Sequence, residues 1–178
     1  KLGVKIGQEH AARVYGPVLT MPVDVPVTQA PELFHLADLM QYWNKDWKLE
    51  RAGFGGAGGG MRGIRGNTYL DGDVLATYPR DEIRGLFLDR TVTIQDLHSL
   101  SFDAGVDSGR AWALDVFINN KKVLTKIIEG QDSGRSWKTI QVDLDPFKNQ
   151  TVKIRLYQRV LIPGREAGNA YWRNIVLK

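Results

Sequence analysis

The second half of the chain consists of short segments in which apolar and polar residues alternate. Residues 140–144 and 152–156 are clear examples, with an apolar side chain at every second position. A period of two places successive side chains on opposite faces of an extended chain, so it predicts strands with one buried face. Eight segments are predicted as strands, and several of them alternate in this way: DVLATY (73–78), RGLFLDRTVTI (84–94), LHSLSFD (97–103), AWALDVFIN (111–119), KVLTKII (122–128), WKTIQVDL (137–144), TVKIRLYQRV (151–160) and NAYWRNIVLK (169–178). Because no helical period separates them, the strands must pair with one another, which predicts an all-β fold.

Turn signals between the segments indicate how the strands are connected. Asn119 and Asn120 separate two strands, and asparagine tolerates the positive φ angles of a tight hairpin. The stretch 145–150, DPFKNQ, is a turn that begins with Asp-Pro. Short strands joined by turns predict an antiparallel β-sandwich, with a jelly roll as the expected topology.

The N-terminal part of the chain has a different character. Residues 1–32 are rich in valine and proline without a sustained period, which predicts an extended arm or linker packed on the body. Residues 33–178 are expected to form a single β-sandwich domain. The fold should contain at most one short helix, in PELFHLADLMQYW (31–43). The glycine-rich stretch 53–63 is interpreted as a loop, since it lacks the GxxxxGK[ST] pattern of a phosphate cradle.

Composition excludes several classes of function. The chain of 178 residues has no cysteine, so thiol catalysis, thiolate zinc sites and disulfides are ruled out. Its net charge is +4, but the 24 Lys and Arg residues are scattered, and we expect no nucleic-acid partner. No apolar run approaches the length of a membrane-spanning helix, so no membrane span is expected. Because the chain starts at Lys1 rather than Met, it is expected to be a processed or excised piece of a longer one.

Two nearly identical stretches, DSGRAW (107–112) and DSGRSW (132–137), lie 25 residues apart. Successive antiparallel strands run in opposite directions, so the connections between them alternate between the two ends of a sandwich. Both stretches therefore fall at one end, together with PRDE (79–82) and LIPGREAG (161–168). The turns at the opposite end contain no arginine. This parity predicts a cluster of guanidinium and carboxylate groups at a single end of the molecule.

The sequence also resembles a known type of domain. SWKTIQVDLDPFKNQTVKIRLYQRV, followed by GNAYWRNIVLK, is similar to the C-terminal half of bacterial jelly-roll carbohydrate-binding modules of the galactose-binding-like type. These modules have an aromatic pair, here Tyr171 and Trp172, at the start of the last strand. WALDVFINNKKVL resembles their W-x-L-x-V-x-V-N-G-K hairpin, with Asn120 where glycine is usual. The resemblance covers about residues 70–178 and implies a non-catalytic module that binds polysaccharide or oligosaccharide. It also implies that the module belongs to a larger secreted bacterial glycan-degrading enzyme, with an adjacent catalytic domain.

The loop cluster is the first candidate site. Sugars are held by planar polar groups that bind hydroxyls and by an aromatic ring beneath the pyranose, and guanidinium groups also suit uronic or sulfated sugars. The predicted ligand-binding residues are Arg110, Arg135, Trp137, Asp107, Asp132, Arg165, Glu166 and Tyr171. Alternatively, the acidic and arginine side chains of each DSGR stretch pair within their own loop and only shape the turn.

Strand phase suggests a second candidate site, on the open face of a sheet. Trp112 and Trp172 share the phase of core residues, whereas Trp137 is out of phase and should point outward. Other outward aromatic and arginine side chains would make a platform for an extended glycan, and the full set is Phe117, Trp137, Tyr157, Arg155 and Arg159. Alternatively, residues 1–70 cover this face.

Metal and catalytic signals are sparse. Asp71 and Asp73 are the candidate ligands of a structural Ca²⁺, and no other cofactor is expected. His10, His35 and His98 lie far apart without a motif, so no catalytic residue is predicted. The expected function is a carbohydrate-binding module that is secreted, periplasmic or at the cell surface. The alternatives are a structural domain that docks on a catalytic or surface partner, or a polysaccharide lyase or hydrolase.

Overall fold

A computed structural model describes residues 36–51, 68–79, 85–161 and 168–178. These residues form two antiparallel sheets of five strands each, and the prediction of an all-β sandwich is confirmed. The elements are α1 (Leu36–Asn44), β1 (Lys48–Arg51), β2 (Tyr69–Asp71), β3 (Val74–Thr77), β4 (Leu86–Ile94), β5 (Ser99–Val106), β6 (Ala111–Ile118), β7 (Lys121–Glu129), β8 (Ser136–Asp143), β9 (Gln150–Arg159) and β10 (Ala170–Leu177). The predicted arm and most of the glycine-rich stretch lie outside the described residues.

The strand order shows how the sandwich is connected. Sheet I has the order β1-β4-β9-β6-β7, and sheet II has the order β2-β3-β10-β5-β8. From β3 onward every connection between successive strands crosses from one sheet to the other, except the β6–β7 hairpin. This repeated crossing is the pattern of a jelly roll. No helix within the described ranges is long and apolar enough to cross a membrane.

The core lies between the sheets and is built from the in-phase side chains. Trp112 and Trp172 are fully buried with ring centroids 5.2 Å apart, which confirms their predicted place in the core. A short polar chain joins the two sheets: Trp172 Nε1 donates to Thr77 Oγ1, and Thr77 Oγ1 donates to Gln158 Oε1. Buried polar groups are tolerated when they are hydrogen-bonded in this way.

Residues 36–51 are part of the sandwich. Leu39, Met40 and Trp47 are buried in the core cluster, and Trp43 Nε1 donates to the backbone oxygen of Asp73. Strand β1 pairs with β4 at the edge of sheet I, and α1 contacts β1 and β2. This segment therefore lies along one edge of the sandwich.

The strand register confirms the predicted parity of the loops. Ala170 is paired with both Thr77 and Val106, and Val106 is paired with Ser136, so these strand ends lie side by side. The connections that follow β3, β5, β7 and β9 are consequently at the same end. At the other end, Asn119 and Asn120 have φ angles of 49° and 64°, as predicted for a tight hairpin.

Candidate functional site: two aromatic surfaces on opposite sheets

Asp107, in the first DSGR stretch, anchors the loop end of sheet II. Its carboxylate accepts hydrogen bonds from the Tyr171 hydroxyl at 2.6 Å and from the backbone N–H of Asn169 at 3.4 Å. Burial, together with the neighbouring Asp107 and Tyr69 side chains, raises the pKa of Tyr171. The Tyr171 hydroxyl therefore stays protonated and donates to Asp107, which ties the start of β10 to the loop after β5.

Arg135, in the second DSGR stretch, pairs with an acid from a distant strand. Its Nη2 lies 3.2 Å from the carboxylate of Asp71, and its guanidinium carbon lies 3.7 Å from the centroid of the Tyr171 ring. Asp132 is exposed in the same loop. The two copies thus have different roles, since Asp107 binds β10 whereas Arg135 reaches β2.

Arg110, another predicted loop residue with a guanidinium, lies at the turn between β5 and β6. The aliphatic stem of Arg110 lies close to Gly168, where a side-chain carbon added to the glycine would approach it to 3.0 Å. Arg110 also closes its turn, with its N–H donating to the Asp107 carbonyl and its own carbonyl accepting from Gly130 N. Arg165 and Glu166 lie outside the described residues.

An aromatic row crosses the outer face of sheet II beneath these loops. The strand register aligns Trp137, Gly105, Tyr171, Ala76 and Tyr69 on five adjacent strands. Three rings therefore alternate with two small residues. A side-chain carbon placed on Gly105 would lie 2.9 Å from the Trp137 ring, so the indole lies flat over this glycine.

A second arginine, which the sequence did not suggest, covers the indole. The guanidinium carbon of Arg173 is 3.9 Å from the centroid of the Trp137 ring. Because Gly105 occupies the inner face of the ring, Arg173 stacks on the outer one. Arg173 Nε also donates to Asp103 at 3.2 Å, and Asp103 accepts further bonds from Thr139 and Asn174. Burial acts to raise the pKa of Asp103, but these hydrogen-bond donors outweigh it, so the pKa lies below its ordinary value.

We refer to this region as the Trp137 surface. It consists of Trp137, Tyr171, Tyr69, Arg135 and Arg173. Three of these residues were predicted as ligand-binding, and two were missed. The signals that could have found the others are the position of Tyr69 two residues before the Asp71-Gly72 turn, and Arg173 two residues after Tyr171 in the same strand phase.

Sheet I carries a separate aromatic group on its outer face. Phe87 stacks on Tyr157 with ring centroids 4.4 Å apart, and Phe117 meets Phe87 edge-on at 6.3 Å. The expectation that Trp137 shares this face is wrong, because β8 belongs to sheet II whereas Phe117 and Tyr157 lie on β6 and β9. Phe87 replaces it, since β4 is the neighbour of β9. Sequence phase identifies outward side chains but not the sheet to which they belong.

An open depression lies beside these rings. It has a volume of ≈ 250 Å³ and is lined by Phe87, Phe117, Asn120 and Arg155. The guanidinium carbon of Arg155 is 4.8 Å from the centroid of the Phe87 ring. We refer to Phe87, Phe117, Tyr157, Asn120 and Arg155 as the Phe87 surface.

One ion-pair network borders the Phe87 surface on the β1 side. The Asp89 carboxylate is bound by Arg155 at 3.1 Å and by Lys153 at 2.7 Å, and Glu50 pairs with both bases. Burial and the neighbouring Glu50 carboxyl raise the pKa of Asp89, against the effect of Lys153. The hydrogen bond between Glu50 and Asp89 lowers the pKa of Glu50. The hydrogen bond from Lys153 to Asp89 raises the pKa of Lys153.

A second network borders the same surface on the β7 side. The buried Asp115 accepts from Thr125 at 2.6 Å and from Arg159 Nε at 3.0 Å, and Lys122 lies 3.8 Å away. Arg159 is therefore a partner of Asp115 at the rim of the Phe87 surface. Together the two networks place four bases against three acids, namely Lys122, Lys153, Arg155 and Arg159 against Glu50, Asp89 and Asp115.

The sequence also predicted a possible cover over the open sheet face, a calcium site and no catalytic histidine. Residues 36–51 follow the edge of the sandwich, so this part of the N-terminal region does not lie over the depression. No third acidic or histidine side chain within the described ranges joins Asp71 and Asp73, and the Asp71 carboxylate already binds Arg135. Calcium binding there stays a prediction. His98 pairs with Asp145 at 2.6 Å at the opposite end, and His10 and His35 lie outside the described ranges.

Comparison with known proteins places the chain by fold. No protein-family model matches the sequence, and no curated protein sequence matches it. The K1 cleaved adhesin domain of Lys-gingipain from Porphyromonas gingivalis W83 is similar in structure, with a TM-score of 0.52 and 12% identity over 75% of this chain and 90% of that domain. At this identity the likeness concerns the fold.

Two further solved structures are similar at lower TM-scores. TmCBM61, a carbohydrate-binding module solved with β-1,4-galactotriose, has a TM-score of 0.49 and 12% identity over 78% of this chain and 92% of its own. The secreted serine protease VesC from Vibrio cholerae has a TM-score of 0.44 and 18% identity over 61% of this chain. The present chain spans 22% of the length of VesC.

Proposed function

We propose that this protein is a non-catalytic carbohydrate-binding module whose Phe87 surface binds a polysaccharide. The observation that carries the proposal is the open depression, which has two phenyl walls, a guanidinium and an amide at its rim. Apolar walls with a few placed polar groups are the usual composition of a sugar site. The sequence resemblance to galactose-binding-like modules supports the same class of ligand.

The chemistry of each lining group fits a pyranose. The rings of Phe87 and Phe117 offer apolar surface to the C–H face of a sugar, while the Asn120 amide can both donate to and accept from hydroxyls. Arg155 is held in place by Asp89 and by the Phe87 ring, so its orientation is fixed before a ligand arrives. A preorganised donor loses little entropy on binding.

The charge around the depression favours an anionic glycan. Bases exceed acids in the two bordering networks, and the side chain of Lys122 is 51% exposed beside Phe117. Guanidinium and ammonium groups attract carboxylate or sulfate substituents. A uronic or sulfated polysaccharide is therefore the proposed ligand, and the module is proposed to belong to a larger secreted bacterial enzyme.

The acids in the networks that border the Phe87 surface support a binding role rather than a catalytic one. Asp89 and Asp115 are each bound by an arginine. Both side chains are only 4% exposed, so neither carboxylate is accessible to act as the acid or the nucleophile of glycoside hydrolysis.

Affinity electrophoresis in gels that contain polygalacturonate, alginate or dextran sulfate tests the proposal. Phe87→Ala should weaken retention by at least about tenfold, because it removes one wall of the depression and the support of Arg155. Ile127→Ala is the matched control, since Ile127 is an exposed apolar residue of sheet I outside the depression. Its retention should equal that of the wild type.

Three results would contradict the proposed function. Retention that is the same for the wild type and Phe87→Ala, with unchanged thermal unfolding, would place the glycan elsewhere. If none of the three polymers retains the wild type, the proposal that the ligand is an anionic glycan is wrong. Release of reducing ends or unsaturated sugars by the wild-type protein would contradict the non-catalytic assignment.

A further inference from the structure

The two aromatic surfaces point in opposite directions, because each lies on the outer face of a different sheet. One ligand chain lying on the Phe87 surface leaves the Trp137 surface accessible on the other side of the sandwich. The chemistry of the second surface therefore decides whether the domain can hold one glycan or two.

The Trp137 surface presents donor and acceptor atoms in pairs. Arg135 Nη2 lies 3.2 Å from an oxygen of Asp71, and Arg173 Nε lies 3.2 Å from an oxygen of Asp103. Adjacent hydroxyl oxygens on a sugar ring have a similar separation, about that of a hydrogen-bonded pair. A guanidinium N–H can donate to one hydroxyl while the neighbouring carboxylate accepts from the next.

The two arginines have donors that no described residue uses, and Asp71 has an exposed acceptor, whereas Asp103 already accepts from Arg173, Thr139 and Asn174. Between described residues, Asp71 is bound by Arg135 through Nη2 alone, and Asp103 is bound by Arg173 through Nε alone. A guanidinium has five N–H donors in a fixed plane, so most of those of Arg135 and Arg173 make no hydrogen bond to a described residue. The side chain of Asp71 is 45% exposed and that of Arg173 is 36% exposed.

The rings hold these polar groups in a fixed arrangement. Arg135 lies on Tyr171 and Arg173 lies on Trp137, and the two rings are 6.4 Å apart. Stacking on an aromatic face restricts the guanidinium to one plane. Gly105 keeps the indole flat beneath Arg173.

The charge balance separates this surface from the first. Two arginines face two aspartates here, so the pairs are neutral as a set, whereas bases exceed acids around the Phe87 surface. A neutral set of donors and acceptors matches a neutral sugar, which supplies hydroxyls without charge. Binding of such a ligand should respond little to salt.

We infer that the Trp137 surface is a second saccharide site, which binds adjacent hydroxyls of a neutral glycan through the Arg135–Asp71 and Arg173–Asp103 pairs. The inference extends the proposed function but uses none of the residues of the Phe87 surface. With both sites occupied, the domain bridges a neutral and an anionic polysaccharide.

The neutral site is tested on its own in the Phe87→Ala background. Affinity gels containing galactan, xylan or dextran should retard this variant, and retardation by at least one polymer should persist when sodium chloride is raised. Adding Arg173→Gln should reduce retention at least about tenfold, because it removes the charged donor pair. Val176→Ala is the matched control, since it shortens an exposed apolar side chain of β10 outside the surface.

Three results would overturn the inference. These are no retardation of Phe87→Ala by any neutral polymer, retention unchanged by Arg173→Gln, or retention lost equally in Val176→Ala. Near-ultraviolet circular dichroism and thermal unfolding establish that each variant is folded. Because polygalacturonate retention of the wild type is scored separately, failure of the neutral site is distinguishable from failure of the proposed function.

Bridging is tested with beads that carry the retarding neutral polymer and with soluble fluorescent polygalacturonate. The wild type should transfer fluorescence to the beads, whereas Phe87→Ala and Arg173→Gln should each reduce the transfer at least about tenfold. If the wild type binds each polymer separately but transfers no fluorescence, the bridging role is wrong.

Discussion

The outer faces of the two sheets arrange aromatic rings in different ways. On sheet I, Phe87 and Tyr157 are directly opposite one another and stack at 4.4 Å, which is close to the spacing of neighbouring strands, so their rings stand upright side by side. On sheet II, Trp137 is opposite Gly105, and its ring lies down over the glycine. The residue across the strand thus decides whether an aromatic side chain stands or lies flat.

The difference has consequences for the guanidinium groups. Upright rings leave a depression at their side, and Arg155 lies at its rim. Flat rings offer a broad face instead, and Arg135 and Arg173 occupy it. Similar residue types therefore produce an open cavity on one sheet and a layer of stacked arginines on the other.

The largest expected effect comes from giving the glycine a side chain. Gly105→Ala places a carbon 2.9 Å from the Trp137 ring and must displace the indole, so we expect unfolding free energy to fall by about 1–3 kcal/mol. Urea denaturation followed by tryptophan fluorescence measures this. Ser101→Ala, on the same strand and face, should change the unfolding free energy by less than about 0.5 kcal/mol.

The same variant tests whether the two faces are independent. Retention of Gly105→Ala on anionic polymers should match that of the wild type, because the Phe87 surface lies on the other sheet. If Gly105→Ala is as stable as the wild type, the indole does not depend on the absence of a side chain at position 105.

A smaller effect is expected in the β6–β7 turn, where two adjacent asparagines have different contacts. Asn120 lines the depression, whereas Asn119 Oδ1 accepts a hydrogen bond from the backbone N–H of Lys153 at 2.9 Å. Glycine accepts the positive φ of both positions. Asn119→Gly should therefore lower the unfolding free energy by about 1 kcal/mol, and Asn120→Gly should instead weaken glycan retention by about two- to tenfold.

Each asparagine variant is the control for the other. Thermal unfolding and affinity electrophoresis of both proteins separate the two effects. If Asn120→Gly changes neither measurement, the Asn120 amide does not contact the ligand.

The smallest expected effect is a difference in pH dependence between two aspartates. The folded pKa of Asp103 lies below its ordinary value of 3.8, so stability should rise with pH up to about this value as the native carboxylate holds its charge. The folded pKa of Asp89 lies above 3.8, so stability should fall as pH rises from 3.8 through the folded pKa. The two aspartates are thus expected to contribute to the pH dependence of stability with opposite signs.

Urea denaturation between pH 3 and 7 of the wild type, Asp103→Asn and Asp89→Asn measures this difference. The stability gap between the wild type and Asp103→Asn should widen as pH rises, whereas the gap to Asp89→Asn should narrow. Gaps that change in the same direction would contradict the opposite shifts.

Much of the local structure was predictable from the sequence. Runs of β-forming residues, several with a period of two, located all the strands from 73 onward, and Asn119-Asn120 marked the hairpin that has positive φ angles in the structure. Phase placed Trp112 in the core and Trp137 outside it. These features depend on neighbours in sequence, so they need no knowledge of strand order. Strand β1 was not predicted, because its four residues have no alternation long enough to detect.

The candidate sites were predictable only in part. Parity brought Asp107, Arg135 and Tyr171 to one end, and the structure joins them through short contacts. Strand parity could not show that Arg135 binds Asp71 rather than an acid of its own loop, because Asp71 lies 64 residues away in sequence. Arg173 was missed because its partner, Asp103, lies on a strand that becomes adjacent only in the folded sheet.

By itself, the sequence determined the strand segments, the direction in which each side chain points and the end of the molecule at which each loop lies. Those properties follow from the two-residue period of an extended chain and from the reversal of direction at every turn. Tertiary structure alone decided which strands are neighbours, and with them the partner of every ring and charge. Trp137 lies over Gly105 and Phe87 stands against Tyr157 because strand order, unlike strand direction, is set by packing between residues distant in sequence.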